Sequence, residues 1–178
     1  MNSRLLGILC MLGGAAVIIG ALVWGEFANT PGIIVGILWA LGSIAGLVGL
    51  IQLGALGDSP LSRALGLVPI IGFGLLAVGS VLQLAGIVDD QSTFFGVGWV
   101  VQMAGMLLVG ILTIAARRWR GWRRFVPLLT IVMVPVFFAL SRLNIPAFAA
   151  VFYGTYILLG YAVATAEPTP AAERPLAA

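Results

Sequence analysis

Three groups of residues in this chain could do chemistry, and each is small. The first is a set of carboxylates, Glu26, Asp89 and Asp90, in two short polar breaks between apolar runs. Gathered together they could hold a hard cation such as Ca²⁺, which takes oxygen ligands. Three acids in two loops are a thin ligand set, so no metal and no cofactor is expected. The second is the run Ala116–Arg124, which holds five of the nine basic residues: Arg117, Arg118, Arg120, Arg123 and Arg124. Such a cluster suits phosphate, and Trp119 and Trp122 between the arginines suit a membrane interface. Each Arg near an anionic lipid surface contributes about 1 kcal/mol, so five give up to about 5 kcal/mol. The third is a set of uncharged polar groups inside apolar runs: Gln52, Gln83, Gln102, Tyr153, Tyr156 and Tyr161. Tyr153 and Tyr156 are three apart and share a helix face. With Gln102 they could line a path for a neutral solute. The plainer reading is hydrogen bonding between helices, worth about 0.6 kcal/mol per pair in a bilayer.

What is missing narrows the chemistry further. The chain has no His and a single Cys, Cys10. Metal hydrolysis through His ligands is therefore out, and so is a Ser-His or Cys-His nucleophile. One cysteine allows no intramolecular disulfide. Ionisable groups within a membrane mark ion paths and proton relays, and the apolar runs hold none. An enzyme would have to rely on the loop carboxylates, so no catalytic residue is assigned and a non-enzymatic role is expected.

The elements that must position these residues are apolar helices. Of 178 residues 61% are hydrophobic and only 8% charged, whereas a soluble domain carries about 25% charged residues. Residues 5–25, 27–57, 64–88, 91–116, 125–141 and 143–166 contain no Asp, Glu, Lys or Arg. A bilayer-spanning helix needs about 20 apolar residues. The expected fold is all-α: a polytopic six-helix transmembrane bundle over residues 1–165, followed by a disordered cytoplasmic tail, 166–178. The helices are predicted near residues 5–24, 32–53, 65–88, 94–116, 125–140 and 145–165. The first run exceeds the apolar core of a signal peptide and ends without an A-x-A site, so it reads as a helix. Pro127 and Pro135 are expected to kink the fifth helix.

Cytoplasmic loops carry an excess of Lys and Arg. Six spans put Arg4, Arg63, the five loop arginines and Arg174 on one side, leaving only Arg142 on the other. That bias predicts both termini in the cytoplasm, at an inner or plasma membrane. The all-arginine cation set fits a bacterial chain. The basic balance is then a topology signal, and no nucleic-acid partner is expected.

Two patterns bear on assembly. Glycines recur within the helices, at small-x-x-x-small spacing for Gly32 with Gly36 and Gly42 with Gly46, and five apart for Gly105 and Gly110. Small-x-x-x-small spacing lets helix backbones approach closely. A repeat of 58–60 residues also runs through the chain. Ser3-Arg4-Leu5-Leu6-Gly7 aligns with Ser62-Arg63-Ala64-Leu65-Gly66, Gly13 with Gly72, Gly36-x-x-Trp39 with Gly96-x-x-Trp99, and Ala45-Gly46 with Ala104-Gly105. A weaker third unit aligns Phe152-Tyr153-Gly154 with Phe94-Phe95-Gly96. Three parallel two-helix hairpins would follow.

The leading functional expectation is a non-catalytic accessory or scaffold subunit. It would work through helix packing and the Arg-rich loop, with anionic headgroups and a membrane-protein partner or further copies of itself as partners. The alternative is a small transporter or channel for a neutral or hydrophobic solute.

Overall fold

The computed structural model describes residues 2–24, 29–89, 93–142 and 148–166. Those residues form six α-helices: α1 (Ser3–Trp24), α2 (Thr30–Gln52), α3 (Pro60–Leu84), α4 (Thr93–Ala116), α5 (Val126–Arg142) and α6 (Phe148–Ala164). A single 3₁₀ segment, Gly121–Phe125, precedes α5. Five helical stretches are long and apolar enough to cross a membrane, and α6 contributes a shorter apolar one. This is the composition of a helical membrane bundle. Large apolar side chains such as Leu12, Ile71, Val100 and Phe138 stand exposed on its outside.

Neighbours in sequence pack as hairpins, α1 on α2, α3 on α4 and α5 on α6. Contacts of α2 with α3, α4 with α5 and α1 with α6 close the ring, and α2 also reaches α6. Of the five longer spans α2 is the most buried, at 56%, and the stretch that contains α5 the least, at 17%. The shorter α6 buries Phe152, Tyr156, Leu159, Ala162 and Val163, so α2 and α6 together form the centre and α5 is the outermost wall.

Local signals set the helix ends. Asn29 caps α2 by accepting from the Gly32 N–H at 2.8 Å, with Pro31 just inside the helix. Ser59 caps α3 in the same way from the Ser62 N–H at 3.0 Å, with Pro60 in the first turn. This moves the start of α3 to Pro60, ahead of the predicted Leu65. Arg63 lies inside the helix, because a Ser-Pro cap outweighs the charge as a boundary signal. The other end moves too. Gly86, at φ +69°, turns the chain just past α3, so the helix stops at Leu84 and not Val88. Pro127 falls in the first turn of α5, where a missing N–H costs little, so only Pro135 is an interior proline there.

The hairpins cross where one backbone reaches the other. A Cβ on Gly42 would lie 2.7 Å from the Leu9 carbonyl oxygen, and one on Gly13 2.9 Å from that of Leu38. Gly46 sits against Cys10 of α1, and Gly105 against the backbone of Pro69 of α3. Gly72 sits against the backbone and Cβ of Gln102, and Gly7 faces Gly160 where α1 meets α6. Gly32 is buried. At Gly36 a Cβ would meet nothing within 4 Å among the described residues, so this glycine makes no close approach to them. Spacing placed it on a face with Gly32, but that face has no backbone opposite it at Gly36. Gly160 and Gly72 are further close-approach positions.

Candidate functional site

Two places gather polar groups, the centre of the bundle and the arginine end. At the centre, Trp39 of α2 is the hub. Its indole meets Phe73 of α3 at 5.2 Å and Tyr153 and Tyr156 of α6 at 5.2 and 5.4 Å, all edge-to-face. Trp99 of α4, 60 residues on in the sequence, lies 6.0 Å away. Such aromatic pairs contribute about 0.5–1.5 kcal/mol each beyond burial. Gln102 and Tyr156 are fully buried, and the Gln102 Nε2 donates to the Tyr156 hydroxyl at 2.8 Å. Cys10 donates its thiol to the Tyr156 carbonyl at 3.3 Å. Three further buried groups, Gln102 Oε1, the Trp39 indole N–H and Ser43 Oγ, find no protein partner among the described residues. Gln102, Tyr153 and Tyr156, taken from the sequence as a possible solute path, thus converge on one core. Trp39 organises it, and the only mark the sequence gives it is a tryptophan halfway along an apolar run, 60 residues from Trp99.

At the other site, the arginines do different jobs. Arg118 donates to Asp58 in the α2–α3 turn. Both side chains are partly exposed, 30% and 72%, so the ion pair is worth no more than about 1 kcal/mol. Arg123 donates to the Thr165 hydroxyl at 3.1 Å, just past α6. Next to it Trp122 stacks on Tyr161 at 6.2 Å, with planes 15° apart. Trp119 is only 5% exposed and joins the hydrophobic core. Of the two loop tryptophans, Trp122 alone is on the surface. The loop is thereby clamped to the α2–α3 turn, to the core and to the end of α6.

Arg117, Arg120 and Arg124 accept no such duty: no hydrogen bond from their guanidinium groups to protein is present among the described residues. Arg124 lies over the Phe125 ring at 4.6 Å, with its Nε buried and unpartnered. Arg117 follows α4 directly and has φ +53°, a conformation that favours glycine. Together with Ile114, Ala115 and Phe125 these two arginines line an open cleft of about 750 Å³. Placing an L-residue in the left-handed region costs about 1–2 kcal/mol. Arg117→Gly should therefore raise the unfolding midpoint in detergent, by about 1 kcal/mol in stability. A lowered midpoint would show that the guanidinium itself holds the loop.

Of the three loop carboxylates Glu26, Asp89 and Asp90, Asp89 alone is described; Glu26 and Asp90 lie outside the described residues, as do residues 167–178. Among the described residues no group of three His, Cys, Asp or Glu side chains forms. No protein-family model, curated protein or solved structure matches the chain.

Proposed function

We propose that this protein is a non-catalytic, multi-pass membrane subunit that works through its arginine end and its outer helix faces. It sits in a bacterial inner membrane with the arginine end and both termini in the cytoplasm. Its hairpins derive from a repeated unit. The observation that carries the reading is the division of labour in the loop: Arg118, Arg123 and Trp119 brace it, leaving Arg117, Arg120, Arg124 and Trp122 on a braced cationic surface. Such a surface suits docking, because little ordering entropy remains to be lost on binding. The outer wall beside it, α5, is the least buried span and offers a face to a membrane-protein partner.

The test is copurification. The wild-type chain should carry a second polypeptide through purification in mild detergent, and replacing all five loop arginines with Gln should release it. An unchanged association after neutralisation would overturn the docking role. Orientation is tested in a Cys10→Ser background: Ile87→Cys should react with an impermeant maleimide on intact cells, and Arg120→Cys only after permeabilisation.

A second reading rests on the core. The Gln102 Oε1 acceptor and the Trp39 N–H donor are both buried and unpartnered beside Tyr156. They suit a water or a small neutral solute, as a facilitator would require. Flux in proteoliposomes with no partner present, altered by Gln102→Leu, would favour this reading over the first.

A further inference from the structure

The arginine cleft has an apolar neighbour. A groove of about 290 Å³ between α5 and α6 is lined by Phe125, Leu128, Leu129, Val132 and Leu158, among others. Phe125 belongs to both the groove and the cleft. One ring therefore separates two guanidinium groups from an apolar channel on a helix fit to cross a membrane. That juxtaposition has the form of an amphiphile, with an anion at one end and hydrocarbon at the other.

We propose that the Arg117–Arg124 cleft and the α5–α6 groove together bind one anionic phospholipid. Its phosphate lies between Arg117 and Arg124, and an acyl chain runs past Phe125 between Leu129 and Leu158. Guanidinium groups suit the phosphate because their forked donors match its oxygens. Arg124 lines the cleft, and no protein group accepts from its Nε among the described residues. The Phe125 ring holds that guanidinium against the apolar wall, where headgroup and chain meet. A free phosphate would make no use of the groove; a neutral lipid would make no use of the arginines. Arg120 is exposed but does not line the cleft, so it belongs to the general surface charge. The inference rests on the reading that this end lies at a membrane surface, and it does not require a protein partner.

The experiment uses the full chain in mild detergent, with native mass spectrometry of bound lipid. The probes are dioleoyl phosphatidylglycerol, dioleoyl phosphatidylcholine and inorganic phosphate. Wild type should retain phosphatidylglycerol in preference to phosphatidylcholine, and inorganic phosphate should not displace it at equal concentration. Arg117→Gln with Arg124→Gln should weaken retention about 25-fold, about fivefold for each arginine. Arg120→Gln should change it little. Leu158→Trp, which fills the groove and leaves every charge in place, should also weaken it. Equal losses from Arg120→Gln and from the cleft pair would overturn the site in favour of diffuse charge. Displacement by inorganic phosphate would reduce it to an anion site. A wild-type control independent of folding variants uses a phosphatidylglycerol with a diazirine in its acyl chain, which should label residues 125–132 and 158; labelling elsewhere overturns the site. Lipid retention without a copurifying polypeptide would sink the docking function alone, and the reverse result would sink the lipid site alone.

Discussion

Gly105→Val should unfold the protein at markedly lower denaturant, with a loss of about 3 kcal/mol, the upper end for overpacking. A Cβ at this position would run into the backbone nitrogen, Cα and Cδ of Pro69. Backbone and a proline ring give way poorly, and the site lies between two long helices whose separation is fixed along their length. In the first hairpin a Cβ on Gly46 would instead meet the Cys10 side chain. Gly46 and Gly105 are 59 apart, as are Cys10 and Pro69. Gly46→Val should therefore cost less, because a thiol can turn aside and a backbone cannot. Gly36→Val supplies the control. Nothing described lies within 4 Å of a Cβ there, so its midpoint should stay close to that of wild type. Detergent-resistant unfolding followed by tryptophan fluorescence gives all three midpoints. Equal losses at Gly36 and Gly105 would show that helix packing is looser than the crossing contacts imply.

The second large effect is at Tyr156. Its side chain is fully buried, touches the rings of Trp39, Phe73 and Phe152, and accepts from Gln102. Tyr156→Ala should cost about 3–5 kcal/mol, the range for removing a buried aromatic ring. Tyr156→Phe keeps the rings in contact and removes only the hydroxyl, which leaves the Gln102 amide without its acceptor. A hydrogen bond between helices in a membrane averages about 0.6 kcal/mol, so the expected loss is near that value. The ratio of the two effects separates ring packing from hydrogen bonding as the force that holds α6 against α2, α3 and α4. If Tyr156→Phe costs as much as Tyr156→Ala, the amide bond and not the aromatic cluster holds the core.

Hydropathy and charge were enough to place six helices, because in this chain every long interval between charges is a helix. Boundaries followed less well. Charge alone places Arg63 outside a helix, yet the Ser59–Pro60 cap draws it into α3, since a charge near a helix end can reach the surface from inside the first turn. Glycine spacing identified faces but not what stands opposite them, which is why Gly42, Gly46 and Gly105 lie at crossings and Gly36 does not. Gln102 stood out as an amide in an apolar run. Its partner Tyr156 could not be paired with it, because 54 residues separate them and pairing depends on how α4 and α6 meet. The five loop arginines looked equivalent in sequence. What divides them is the fold: Asp58 reaches Arg118 and Thr165 reaches Arg123, and nothing local to residues 117–124 announces either contact. Trp119 and Trp122 also looked alike, and a backbone turn buries one and exposes the other.

The central claim is that this protein acts as a membrane subunit docked through its arginine end. Native mass spectrometry of the chain, extracted in mild detergent from the cells that make it, tests this most directly. The account predicts a stoichiometric complex with a second polypeptide, which is lost when Arg117, Arg118, Arg120, Arg123 and Arg124 are replaced together by Gln. A lone chain, or a complex that survives that replacement unchanged, would contradict it.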